Sequence, residues 1–130
     1  MAEKRLNFLK GDLLIVKVLE KYANKGYFCM ANYGHNEGID VLVFDTKTGR
    51  LSKVIECKNY AIATKKGKRE YVDDVTFDKD VDRLNDCDIL PDVEKEFVVS
   101  YESILSRTQK DYLKAHNIKV TELGYQVLEE

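Results

Sequence analysis

Apolar residues recur at helical spacing along the first two dozen positions. Leu6, Leu9, Leu13 and Val16 form one row and Leu14, Val18 and Tyr22 a second, which predicts a well-buried helix over residues 3–24 with a wide stripe. Gly11 either interrupts this helix or marks its start with Asp12 as N-cap, and Gly26 is placed to stop it. The pattern then shortens to runs of strand length at residues 27–32, 39–44 and 53–57, the last two joined by a turn at 45–50. Val41 and Val43 would face one side and Leu42 and Phe44 the other, as in a strand covered on both faces. A basic loop at 64–69 leads to a helix near 74–87 with a stripe of Phe77, Val81 and Leu84, while Lys79 and Arg83 lie one turn apart elsewhere on it. Pro91 follows in the connection to a strand at 97–101. Ser106-Arg107-Thr108-Gln109 then reads as a capping box opening a helix to about His116, closed by Asn117, before a last strand at 118–123. Helix, three strands, helix, strand, helix, strand predicts an α/β sandwich around a mixed central sheet.

The turn between the second and third strands sets a register. Position 48 lies midway between Asp40 and Glu56, so a hairpin closing symmetrically there places these two carboxylates opposite each other, with Cβ atoms about 4.5–5.5 Å apart. Lys58, two residues further on, shares the face of Glu56, and the residue opposite it is Gly38, which leaves space beside the ammonium group. Opposed carboxylates on an apolar sheet repel and need compensation. One lysine could neutralise one of them. Two carboxylates and a backbone carbonyl also suit Mg²⁺, which could polarise a phosphate and acidify a bound water, with Lys58 orienting that water or steadying the transition state. The alternative is a partly buried Asp–Glu–Lys cluster that only fixes strand register.

Composition narrows the setting. The chain has 130 residues, 44% of them hydrophobic, which suits one domain over residues 1–130 with one core. No apolar run reaches the roughly 20 residues of a membrane span, and the first residues lack the pattern of a secretory signal. Cys29, Cys57 and Cys87 are odd in number and far apart, which suggests neither a disulfide framework nor a cysteine metal site. The expectation is a soluble, cytoplasmic protein with no membrane partner. A net charge of −2 does not mark a nucleic-acid binder. From Lys47 to Arg69, however, eight basic residues face a single acid, Glu56. Lys65, Lys66, Lys68 and Arg69, flanked by Tyr60 and Tyr71, would suit a phosphate backbone without sequence readout. The alternative is a solvated loop. His35 and Glu37 lie in a polar loop before Asp40, and His116 ends a helix, where a cation suits the dipole.

Gly38-Ile39-Asp40, fifteen residues, then Glu56-Cys57-Lys58 resembles the signature of the PD-(D/E)XK nucleases. The element order fits that superfamily's restriction-endonuclease-like αβββαβ core over residues 8–123, in a layout similar to the archaeal Holliday-junction resolvases. The resemblance implies that Asp40 and Glu56, with the Cys57 carbonyl, bind Mg²⁺ or Mn²⁺, that Lys58 assists catalysis, and that products carry 5′-phosphate and 3′-hydroxyl ends. Two departures stand out. Gly-Ile replaces the proline of the family's name, and the first-helix position that carries an acid in many relatives is Ile15, leaving Asp12 as the substitute and Glu20 as a further candidate. The resulting expectation is a Mg²⁺-dependent endodeoxyribonuclease for branched or structured DNA, working as a homodimer because one site cuts one strand. The alternatives are a non-catalytic nucleic-acid-binding or assembly subunit that keeps the fold, and an enzyme that cleaves RNA.

Overall fold

The computed structural model describes residues 2–33, 38–59, 72–89, 92–101 and 104–123, with side chains from residue 12 onward except at 88–89. Helix α1 (Ala2–Asn24) precedes strands β1 (Phe28–Ala31), β2 (Val41–Phe44) and β3 (Leu51–Lys58). Helix α2 (Asp74–Asn85) runs into a 3₁₀ turn (Asp86–Ile89), followed by β4 (Glu94–Val99), α3 (Arg107–Ala115) and β5 (Ile118–Glu122). The strands form a five-stranded sheet in sequential order, antiparallel through β1, β2 and β3 and parallel from β3 to β5. This is the expected mixed α/β sheet flanked by helices. Among the described residues no helix is long and apolar enough to cross a membrane.

Alternation along the strands divides the core into two layers. Val41, Val43, Ile55, Cys57 and Val98 pack with Leu14, Ile15, Val18 and Tyr22 of α1. Val54, Phe97 and Val99 pack on the other side with Phe77, Val81 and Leu84 of α2 and Leu113 of α3. The buried stripe of α1 is narrower than its sequence suggested, since Val16 is 47% exposed. Leu6 and Leu9 belong to the residues whose side chains are not described. The helix also continues through Gly11, so Asp12 is an interior residue and not an N-cap. A helical glycine costs only about 1 kcal/mol, less than the packing of the buried stripe returns. Gly26, at φ +89°, ends α1 in a left-handed turn closed by a hydrogen bond from the Tyr27 amide to the Tyr22 carbonyl.

The hairpin holds the predicted register where it matters. Val41 faces Ile55, Leu42 faces Val54 and Val43 faces Lys53, before a bulge shifts Phe44 onto Leu51. β4 begins earlier than its apolar run indicated, because the fully buried Glu96 belongs to the strand, and it ends at Val99. On α3 the capping box of Ser106 and Gln109 is formed, and Asn117 closes the helix at φ 56°.

Candidate active site

Asp40 immediately precedes β2, and the register of Val41 on Ile55 carries it next to Glu56. Its Oδ2 accepts a hydrogen bond from the Cys57 amide at 2.8 Å. That amide points toward β2, and the N–H and C=O of one strand residue point the same way, so the Cys57 carbonyl is turned to the same edge. Its side chain lies in the α1 layer as a buried thiol, whereas Glu56, one residue earlier, faces α2. The cluster therefore sits where β2 begins and β3 ends. Ligand sites in open α/β sheets favour the carboxyl ends of parallel strands.

Glu56 is 1% exposed and within hydrogen-bond reach of Asp40. Burial is the main force raising its proton affinity, and the charges of Asp40 and Asp80 add to it, partly offset by Arg83; together they push the carboxyl up to about 10. Asp40 is raised as well, by burial foremost, with the Cys57 amide, Glu56 and Lys58 opposing. The pair thus holds a proton more tightly than isolated carboxylates do.

Helix α2 supplies a third carboxylate. Asp80 is 1% exposed and forms an ion pair with Lys58, Nζ to Oδ2, at 2.8 Å. The space that the sequence left beside Lys58 is thus filled by this acid. Burial alone would lower the Lys58 ammonium, but the charge and hydrogen bond of Asp80, with Asp40 and Glu56, raise it above its ordinary value. Arg83, one turn on, reaches Asp80 Oδ1 through Nη2 at 3.4 Å, Glu56 Oε1 through Nη1 at 3.5 Å and the Gly38 carbonyl at 3.2 Å. Gly38 holds φ +123°, a conformation that side chains rarely adopt; this lets the chain turn into Asp40 while its carbonyl meets Arg83.

The structure brings Asp40, Glu56 and Lys58 together. Asp12 is partly buried on α1, which covers the opposite face of the sheet from Glu56 and Lys58, and Ile15 is a core residue of that layer. Lys65, Lys66, Lys68, Arg69, Tyr60, Tyr71, His35 and Glu37 lie outside the described residues. Asp80 and Arg83 were missed from sequence. Their signal was available: Asp80 falls three residues after Phe77 and one before Val81, inside the apolar stripe of α2, where a solvated acid has no place.

The carboxylate pair suits a divalent ion. Two adjacent acids of raised proton affinity, one buried and one half-buried, form a site where a cation can replace a proton. Among the described residues no group of three or more His, Cys, Asp or Glu is arranged to hold a metal. Mg²⁺ needs no such cage, because it is bound through one or two carboxylates and completes its shell with water and phosphate oxygens.

No family model and no curated protein matches the chain. Two solved structures share its fold. One is a repair endonuclease from Pyrococcus abyssi, 14% identical at a TM-score of 0.54 over 91% of this chain. The other is AF1548, a protein of unknown function, 20% identical at a TM-score of 0.59 over 92% of this chain. The chain spans 46% of the first and 59% of the second.

Proposed function

We propose that this chain, which has the restriction-endonuclease-like fold of the PD-(D/E)XK nucleases, is a divalent-metal-dependent endodeoxyribonuclease with its site at Asp40, Glu56 and Lys58. The observation that carries this reading is the pairing of buried Glu56 with half-buried Asp40, which is anchored by the Cys57 amide and flanked by a protonated lysine. Asp40, Glu56 and the Cys57 carbonyl would hold Mg²⁺ or Mn²⁺. A bound ion of this kind supplies positive charge at the scissile phosphate and an acidified water. The chain's own part is to fix the two carboxylates and to present an ammonium donor. Lys58 gives hydrogen bonds to a non-bridging phosphate oxygen as charge accumulates there. Hydrolysis would leave 5′-phosphate and 3′-hydroxyl ends.

DNA is the proposed substrate, which fits the name of the Pyrococcus abyssi relative and the basic residues Lys65, Lys66, Lys68 and Arg69 just after the site in sequence. Backbone contacts from that loop would give salt-sensitive binding without base readout. One site cuts one strand, so two copies acting as a homodimer would serve a duplex or a four-way junction.

Cleavage of supercoiled plasmid, single-stranded and four-way-junction DNA with Mg²⁺ or Mn²⁺ tests the proposal. Asp40→Ala and Lys58→Ala are each expected to reduce the rate by about 100-fold or more. Cleavage that persists in both variants would rule out this site, and cutting of structured RNA alone would reassign the substrate. A second reading, a non-catalytic nucleic-acid-binding subunit, draws on the burial of Ile15 where many relatives carry an acid. It requires that wild-type protein bind these DNAs and cut none of them.

A further inference from the structure

Asp80 lies in an apolar stripe between Phe77, Val81 and Leu84, and its two oxygens face two cations. Lys58 and Arg83 keep part of their side chains in solvent, at 20% and 34% exposure, whereas the carboxylate between them is at 1%. Neither cation depends on a buried acid for hydration. An apolar residue would fill this stripe position well, and replacing a buried ion pair by packed hydrophobic groups is often neutral or stabilising. Fold stability therefore does not explain the acid, so its placement must answer to the cations that it holds. Both of them lead to the carboxylate pair. Lys58 stands on the same strand face as Glu56, and Arg83 extends from Asp80 to Glu56 and on to the Gly38 carbonyl, just before Asp40. Basic and acidic side chains thus alternate from Lys58 through Asp80 and Arg83 to Glu56, joining α2 to the start of β2 and the end of β3.

We infer that Asp80 is a positioning residue of the nuclease site: it holds Lys58 where the ammonium faces the substrate phosphate and holds Arg83 as the clamp on Glu56 and the Gly38 turn. This builds on the proposed nuclease site, and it assigns to α2 a task that the strand motif leaves open. Asp80 acts through its two partners and does not itself touch substrate. Its removal frees Lys58 to sample other rotamers along its four-carbon stem, while Asp40 and Glu56 keep their carboxylates.

The test combines a labelling measurement with a double-mutant cycle. Lysine acylation by a small amine-reactive reagent, read residue by residue by mass spectrometry, is expected to rise about fivefold or more at Lys58 in Asp80→Asn, with the other lysines unchanged. If Asp80→Asn raises labelling at every lysine, the fold has loosened, and Asp80→Leu, which suits the apolar stripe, decides by the same criterion at Lys58. Unchanged labelling of Lys58 in a folded variant overturns the inference. In the cleavage assay, Asp80→Asn is expected to lower kcat about tenfold or more with KM nearly unchanged, yet to cost less than about threefold in a Lys58→Ala background. Costs that multiply fully in the double variant contradict action through Lys58. If wild-type protein cleaves no DNA, the nuclease reading fails, and the labelling ratio at Lys58 still decides whether Asp80 positions it.

Discussion

Glu56 shows what the site demands of a single side chain. In the unfolded chain it would lose its proton near 4.5, but burial beside Asp40 and Asp80 lets it keep that proton up to about 10. The folded state therefore binds more protons than the unfolded state between those values. The corresponding stability is fully present below 4.5 and is lost as pH rises toward 10. Glu56→Gln mimics the protonated form at every pH. Without added metal, this variant is expected to be more stable than wild type by about 1–3 kcal/mol at pH 8 and to show a weaker decline in midpoint temperature from pH 6 to pH 9. A melting series across that range checks both, and a variant less stable than wild type at pH 8 would contradict the assigned strain. Asp40, Glu56 and Lys58 were legible because turn position and strand alternation are local rules. Asp80 was harder to see because it stands in an acidic run, Asp78-Lys79-Asp80-Val81-Asp82, that reads as a solvated helix face. Only its phase relative to Phe77 and Val81 distinguishes it.

At the scale of elements, the two faces of the sheet treat buried charge differently. The α2 face leaves its carboxylates crowded, whereas the α1 face satisfies its own. Glu96, fully buried in β4, accepts from the Tyr22 hydroxyl at 2.5 Å and from the Thr121 hydroxyl at 2.6 Å. Lys53 donates to the Tyr22 oxygen at 2.8 Å and lies 3.9 Å from Glu96. Four elements, α1, β3, β4 and β5, meet at this network, which ties the C-terminal half of α1 to the sheet. Tyr22→Phe removes one donor to the buried carboxyl group and is expected to destabilise the protein by about 1–3 kcal/mol in urea unfolding, with DNA cleavage retained. Loss of cleavage in the folded variant would show that the two faces are coupled. None of this was visible in sequence. A glutamate at a strand start reads as solvent-facing, and its partners lie 74 and 25 residues away in the chain. The capping box at Ser106 and the stops at Gly26 and Asn117 were legible because each is encoded within a few residues.

For the whole molecule, the element order and a mixed sheet were readable from periodicity, whereas the strand order within that sheet is seen only in the structure. The width of the α1 stripe was misjudged because spacing alone does not say which of two adjacent rows meets the sheet. The net charge of −2 says little about a surface whose charges are segregated along the chain. With the fold established at 14% and 20% identity, the proposed function requires that Asp40 and Glu56 bind a divalent ion. Titration calorimetry with Mn²⁺, in two buffers of different ionisation enthalpy, addresses that directly. The expected result is binding accompanied by proton release near pH 7, as the ion displaces the proton shared by the pair, with both signals lost in Asp40→Ala and in Glu56→Ala. Absence of Mn²⁺ binding by the wild-type protein, or binding that survives both substitutions, would contradict the account.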